Sequence, residues 1–474
     1  MAYELNISSD SRQLALITAK DQYTYAKFDD TTRRIAANLQ HQGVQAGDRV
    51  AVTVKIHPDF PLLFFALLRS GAVVVPLNPE LPARTVADMF RQVECRWLID
   101  LEPSMDSDAS LVSSRIDVGK LFDFSALTAP SGIADVLNST QTATIIFSSG
   151  SSGTPHAVLQ TVGNHFFNAH GSNTNIKVFP GDRWLISLPF YHVAAIAILF
   201  RTFIAGAISV LEEKGVPLMQ QIGAMKVTHL SLVHTQLKRI LADQKRNSTA
   251  AALRAVLIGG SACPPALIRQ GIAAGLPLFI SYGSTEMASQ ITTTAPGEAA
   301  ITPHSSGKVL PYREIKIGAE GEILVRGETL SPGYVKTGEI SDIRDAQGWF
   351  HTGDTGRIDK ADNLTVLGRR DNMFISGGEN IYPEEIETAL MSLDVVQECC
   401  VVDISDAEFG ALPVAFLRLR DKGADWSDIQ RQLALILPRF KIPKGIMPWP
   451  QVQAGLKPDR KKFRELALQY KNNI

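Results

Sequence analysis

The sequence predicts an α/β protein with a large N-terminal domain of layered mixed and parallel sheets with helices, a small β subdomain, and a small α+β C-terminal domain. Three observations predict it. Up to about residue 280, short β-branched runs alternate with segments of helical period, the pattern of βαβ units. Over residues 314–367 the texture changes to short strands broken by Gly and Asp. After residue 370, helical and strand patterns mix in a compact segment.

Element by element, Val50-Ala-Val-Thr-Val54 and Ala72-Val-Val-Val-Pro76 read as strands, with a helix over Phe60–Arg69 between them. A further strand over residues 143–147 runs into a Gly/Ser-rich loop. Glu314-Ile-Lys-Ile317, Glu322-Ile-Leu-Val-Arg326 and Leu364-Thr-Val-Leu367 are the strands of the β subdomain. Beyond it come a helix near residues 383–391, strands at 398–403 and 414–419, and a helix over 426–437. The change of composition at residues 368–371 sets the boundary, giving domains 1–369 and 370–474.

A chain of 474 residues suggests two or three units. Apolar content of 45% with 20% charged residues is that of a soluble globular protein. No apolar run is long enough to span a membrane. The N-terminus has no basic stretch leading into an apolar core, so no secretory signal and a cytoplasmic location are expected. Cys95, Cys263, Cys399 and Cys400 lack metal-ligand spacing, and the adjacent pair reads as part of a buried strand. With 47 basic against 48 acidic residues, nucleic acid is not an expected partner; a homodimer is left open. Past Pro438 the balance turns basic, a solvated tail or a positive field for an anionic ligand.

The richest segment is Ile145-Phe-Ser-Ser-Gly-Ser-Ser-Gly-Thr-Pro-His156. Glycines let backbone N–H groups converge and hydroxyls add donors, which suits phosphate; a flexible linker is the plainer reading. It is not a P-loop, because no Gly-Lys-Ser/Thr follows. Further segments follow in order: Tyr282-Gly-Ser-Thr-Glu-Met287, Gly348-Trp-Phe-His-Thr-Gly-Asp354, Gly368-Arg-Arg-Asp-Asn372, Ser376-Gly-Gly-Glu-Asn-Ile-Tyr-Pro383 and Lys457-Pro-Asp-Arg460. Together with Gly47-Asp-Arg-Val-Ala51 and Gly71-Ala-Val-Val-Val-Pro-Leu-Asn78, they make the chain resemble the adenylate-forming superfamily of acyl-CoA synthetases, peptide-synthetase adenylation domains and luciferases along nearly its whole length.

That resemblance implies an AMP-forming acid–thiol ligase using ATP, Mg²⁺ and coenzyme A. The acid attacks the α-phosphate to give an acyl-adenylate, and a thiol then displaces AMP. Ser148, Ser149, Gly150, Ser151, Ser152, Gly153 and Thr154 would hold the β- and γ-phosphates. The superfamily usually places a lysine where this chain has His156, a weaker phosphate partner. Tyr282 and Gly283 match the adenine-stacking segment, with Gly260 and Ser261 flanking the base. Thr285 matches an α-phosphate contact and Glu286 a magnesium ligand; one carboxylate plus phosphate oxygens suffices for that ion. Asp354 and Arg369 match the ribose grip, although an Asp in a Gly-rich turn is commonly a turn former. Lys457 matches the lysine bridging acid and α-phosphate. The resemblance also makes the C-terminal domain mobile about Asp371, presenting Gly377 and Gly378 to the thiol arm; the same glycines also suit a plain loop.

The small-molecule acid is the remaining question. Leu188-Pro-Phe-Tyr-His-Val193 resembles a segment that gates the acid pocket of aryl-CoA ligases, making His192 a candidate, with a packed histidine as the plainer reading. Ser231-Leu-Val-His-Thr-Gln-Leu-Lys-Arg-Ile-Leu241 and Asp406-Ala-Glu-Phe-Gly410 look most like the o-succinylbenzoate–CoA ligases of menaquinone biosynthesis. Arg239 would then face the second carboxylate of that acid, although arginines on helices are commonly solvated. The alternatives are an aryl- or polyketide-acid ligase of secondary metabolism, and a catalytically silent acyl-adenylate-binding protein.

Overall fold

In the first half of the chain the apolar runs pair as parallel strands. Arg49–Thr53 lies between Val73–Leu77 and Trp97–Asp100, all three parallel. The computed structural model describes residues 4–6, 11–102, 114–125, 133–148, 155–243, 252–406, 408–420, 425–450 and 460–470. These three strands belong to an eight-stranded sheet that continues through Thr142–Ser148, His156–Thr161, Gly333–Lys336 and Glu339–Ser341. A nine-stranded sheet holds the parallel run Leu278–Ser284, Ala255–Ile258, His229–Leu232, Arg183–Ile186, Ile208–Leu211 and Leu14–Ile17.

Side chains alternate across each strand, and the cores follow that alternation. Val50, Val52 and Val74 point into the same core as Trp184, Ile186 and Leu257 of the second sheet, with the helices Tyr25–His41, Phe60–Arg69, Val162–Ile176 and Val193–Ala205 between the sheets. Ala51, Val73 and Val75 face the other way, against the helix Ala83–Gln92. Leu185, Val210 and Val256 face the helices Leu218–Ala224, His234–Ala242 and Pro265–Ala273. Both sheets are covered on both faces, as parallel strands require. Phe60–Arg69 is buried along its whole length, and Phe60, Phe64 and Phe65 meet Phe190, Phe200 and Phe203. A helix that is apolar all round belongs inside.

The expected β subdomain is a four-stranded antiparallel sheet of Arg313–Ile317, Glu322–Gly327, Phe350–Ile358 and Leu364–Arg369. In the C-terminal segment, Val396–Asp406, Gly410–Leu419 and Gly445–Pro448 form a sheet. Pro383–Met391 and Trp426–Leu433 cover one face and Arg460–Tyr470 the other. Cys400 is buried in that sheet and Cys399 half-buried, with burial holding the Cys399 thiol far above its ordinary range. The helix expected over 426–437 stops at Leu433: Leu435 and Ile436 are exposed and have nothing to pack on, and Pro438 follows. Among the described residues no helix is long and apolar enough to cross a membrane.

Candidate active site

Two of the motifs lie where parallel strands of the second sheet end. Ala255–Ile258 runs into Gly259-Gly260-Ser261, with Gly260 at φ +80°. Next to it, Leu278–Ser284 outruns its parallel partner and pairs antiparallel with Ser289–Thr293, with a register shift between Tyr282 and Gly283. A Cβ on Gly283 would lie 2.0 Å from the Ser289 carbonyl oxygen, so the backbones approach this closely only with glycine there. Such irregularities re-aim side chains at strand ends.

The Tyr282 phenol is aimed at Asp354. It donates to Asp354 Oδ2 at 2.6 Å, and Arg369 Nη1 donates to Asp354 Oδ1 at 3.2 Å and to the Thr352 carbonyl at 2.8 Å. Asp354 and Arg369 are direct cross-strand partners, which explains the pairing. Burial, then the Asp354 charge, pushes the Tyr282 phenol well above its ordinary value, so it stays protonated and donates. Tyr282, Asp354 and Arg369 are therefore one hydrogen-bonded unit. A carboxylate has about four lone-pair sites, which leaves Asp354 room for further donors.

On the phosphate side, Ser148 ends its strand directly opposite His156. The loop residues Ser149, Gly150, Ser151, Ser152, Gly153 and Thr154 lie outside the described residues, as does Lys457. The Thr285-Glu286 pair is held from beneath by a buried polar chain that motif reading missed. The Gln160 amide donates to the Thr285 carbonyl, Thr144 Oγ1 donates to Gln160 Oε1 at 2.9 Å, and His165 Nε2 lies 2.9 Å from that hydroxyl. Burial lowers His165 to about 3, so its ring is neutral at pH 7. Its only sequence signal was one Gln interrupting the apolar strand His156–Thr161. Among the described residues no three His, Cys, Asp or Glu side chains gather as a metal centre. Glu286 offers a hard carboxylate oxygen, the kind of donor magnesium takes beside phosphate oxygens.

On the acid side, His192 is exposed at the residue before the helix Val193–Ala205, its ring 4.6 Å from that of Tyr191. Arg239, the residue expected to face the second carboxylate, lies on the exposed face of the amphipathic helix His234–Ala242. Among the described residues the most buried arginine is Arg201. It is 1% exposed, its Cζ is 5.4 Å from the centre of the Trp184 ring, and Nη2 reaches Ser289 Oγ at 3.4 Å. Trp184 Nε1 in turn donates to Ser231 Oγ at 3.1 Å. Arg201 Nε has no hydrogen-bond partner, and among the described residues no carboxylate pairs with it. Burial lowers it to about 9, which still leaves it charged at pH 7. Burying a cation without an anion is costly. The signal was present in the sequence: a lone charge in an otherwise apolar helix.

Gly377 and Gly378 form the two-residue loop of the hairpin Phe374–Ser376 and Glu379–Ile381, both at positive φ. That geometry is the one tight hairpins select glycine for.

Tyr282, Asp354 and Arg369, which the sequence motifs matched to a nucleotide site, form one hydrogen-bonded group. The AMP-binding enzyme family matches residues 5–335 and the AMP-binding enzyme C-terminal domain family matches residues 385–454, and the chain belongs to the AMP-binding enzymes. A 2–succinylbenzoate–CoA ligase of Listeria innocua is 33% identical over 436 residues, covering 92% of each chain. The o-succinylbenzoate CoA synthetase of Bacillus subtilis in complex with the acyl-adenylate intermediate superimposes with a TM-score of 0.89 at 29% identity, covering 98% of both chains. The same enzyme in complex with ATP and magnesium gives a TM-score of 0.86 at 29% identity, covering 95% of this chain and 97% of that one.

Proposed function

We propose that the protein is an AMP-forming o-succinylbenzoate–CoA ligase of menaquinone biosynthesis. The observation that carries this choice of acid is Arg201, a buried and charged guanidinium with an unfilled Nε. An aryl acid with a second carboxylate satisfies it, whereas a monocarboxylic acid leaves it unpaired. The relatives named for this acid support the same reading.

In the first half-reaction a carboxylate oxygen of the acid bonds to the α-phosphorus of ATP, and the bond to the bridging oxygen breaks to release pyrophosphate. Ser148 and the loop from Ser149 to Thr154 hold the departing phosphates, and Thr285 contacts the α-phosphate. Tyr282, Gly283, Gly260 and Ser261 seat the adenine, and Asp354 with Arg369 grips the ribose. Glu286 would hold magnesium, which supplies charge neutralisation to the phosphates. Lys457 bridges the two reacting anions, aligning groups that otherwise repel. In the second half-reaction the thiol of coenzyme A attacks the acyl carbon and AMP leaves. His192 borders the acid and the Gly377-Gly378 loop borders the thiol arm.

Two half-reactions at one site require two arrangements, and the 1–369 and 370–474 units supply them by rotation about Asp371. That residue sits in the turn Arg370–Asn372, and Arg369 Nη2 lies 3.5 Å from its Oδ2. Proline fixes φ and blocks such a rotation. Asp371→Pro is expected to adenylate normally and to lose thioester formation, measured by running the half-reactions separately; normal transfer by the variant refutes the hinge.

Mass spectrometry of the complete reaction tests the function. With ATP, Mg²⁺, coenzyme A and o-succinylbenzoate it should show o-succinylbenzoyl-CoA, AMP and pyrophosphate in equal amounts. Release of ADP and phosphate, or no thioester, contradicts it.

A further inference from the structure

His156 occupies the position from which the resemblance leads one to expect a phosphate-binding cation, yet its ring is engaged elsewhere. The strand His156–Thr161 pairs antiparallel with Gly333–Lys336, and Val158 lies directly opposite Tyr334. His156, two residues before Val158, shares its face of the sheet and is the diagonal neighbour of Tyr334, within reach of an aromatic ring. The two rings lie stacked, centroids 4.7 Å apart and planes 22° from parallel. The far end of the tyrosine is fixed as well, because its phenol donates to Glu286 Oε1 at 2.9 Å. From the other side the Ser331 N–H donates to the Glu286 carbonyl at 2.7 Å. Among the described residues, Glu286 Oε2 accepts no hydrogen bond.

We infer that His156 is a positioning residue: it serves as a flat shelf that fixes Tyr334, and Tyr334 in turn orients Glu286 so that Oε2 meets the magnesium of the nucleotide. The inference rests on the proposed role of Glu286 as the magnesium carboxylate. It assigns a task to two residues outside the motifs, and a different task to His156 from that of the lysine it replaces. A phenol holding one oxygen of a carboxylate leaves a single way for the other to point.

Calorimetric titration of the full chain with ATP, in excess Mg²⁺ and again in EDTA, separates the two tasks, with no acid present and thus no turnover. The readout is the ratio of the two affinities. Tyr334→Phe should lower that ratio about tenfold, the equilibrium worth of one hydrogen bond to a charged group, and leave the EDTA affinity unchanged. His156→Ala should move it the same way and His156→Phe, which keeps a flat ring, should hold the wild-type ratio. His156→Lys should fall with Ala. The inference is overturned if Tyr334→Phe leaves the ratio unchanged. It is equally overturned if His156→Phe loses ATP in both buffers while His156→Lys restores it, since His156 is then a phosphate cation. Glu286→Gln separates this failure from that of the proposed function. If the wild type shows no magnesium dependence, or Glu286→Gln retains it, the role of Glu286 falls and the inference with it. If the dependence is present and lost in Glu286→Gln but not in Tyr334→Phe, only the inference falls. Thermal melts of each variant confirm that it is folded.

Discussion

Lys457→Ala is expected to slow acyl-adenylate formation by about 10²–10³-fold, the effect of removing one preorganised donor worth roughly 3–4 kcal/mol in the transition state. The acid and the α-phosphate are both anionic, and their approach is the step that most needs a positive bridge. Thiol attack on the finished adenylate brings no second phosphate forward. The variant should therefore convert supplied o-succinylbenzoyl-AMP to thioester at close to the wild-type rate. Arg460, three residues on, is held by two glutamates. It bonds Glu387 at 2.6 and 3.1 Å and Glu384 at 3.3 Å at the start of the helix Arg460–Tyr470. Equal loss of both half-reactions would contradict the role given to Lys457.

Arg201→Met is expected to raise KM for o-succinylbenzoate by at least tenfold. Removing one partner of a buried, hydrogen-bonded charge pair costs about 2–5 kcal/mol, and each 1.4 kcal/mol is about a factor of ten. In the free protein the same change removes a desolvated guanidinium that has no carboxylate partner among the described residues, further burdened by a second buried cation, Arg313, whose own lowering reflects burial and then the Arg201 charge. Replacing such a charge by an apolar side chain of similar length is neutral or stabilising. Arg201→Met should thus keep or raise the melting temperature while it loses the dicarboxylic acid, and a benzoate-like acid should be little affected. Arg239→Ala, on the exposed face, should leave KM for o-succinylbenzoate unchanged. A silent Arg201→Met with a damaging Arg239→Ala would return the second carboxylate to Arg239.

The contrast between these two arginines shows what the sequence makes legible. Both lie on helices, but His234–Ala242 is amphipathic and points Arg239 outward, whereas Val193–Ala205 is apolar on every side and takes Arg201 inside with it. Reading by motif favoured Arg239; reading by helix environment favours Arg201. Tyr282, Asp354 and Arg369 were accessible because each sits in a short segment of turn residues whose spacing is local. Gln160 and Tyr334 were not, since their meaning comes from strands that meet only in the fold: Gln160 under Thr285, Tyr334 under Glu286. The helix Phe60–Arg69 was legible to the residue from its apolar run and flanking turns. The helix after Asp425 was overdrawn by its apolar tail Leu435-Ile436-Leu437, of which the first two are exposed.

The central claim is that this site adenylates an acid with a second carboxylate, and ATP–pyrophosphate exchange across a panel of acids tests it most directly. Labelled pyrophosphate should enter ATP when o-succinylbenzoate is supplied, with benzoate and aliphatic acids at least tenfold less effective in kcat/KM, the discrimination expected of a buried charge pair. Exchange driven equally well by monocarboxylic aryl acids, or no exchange with any acid, would contradict the account.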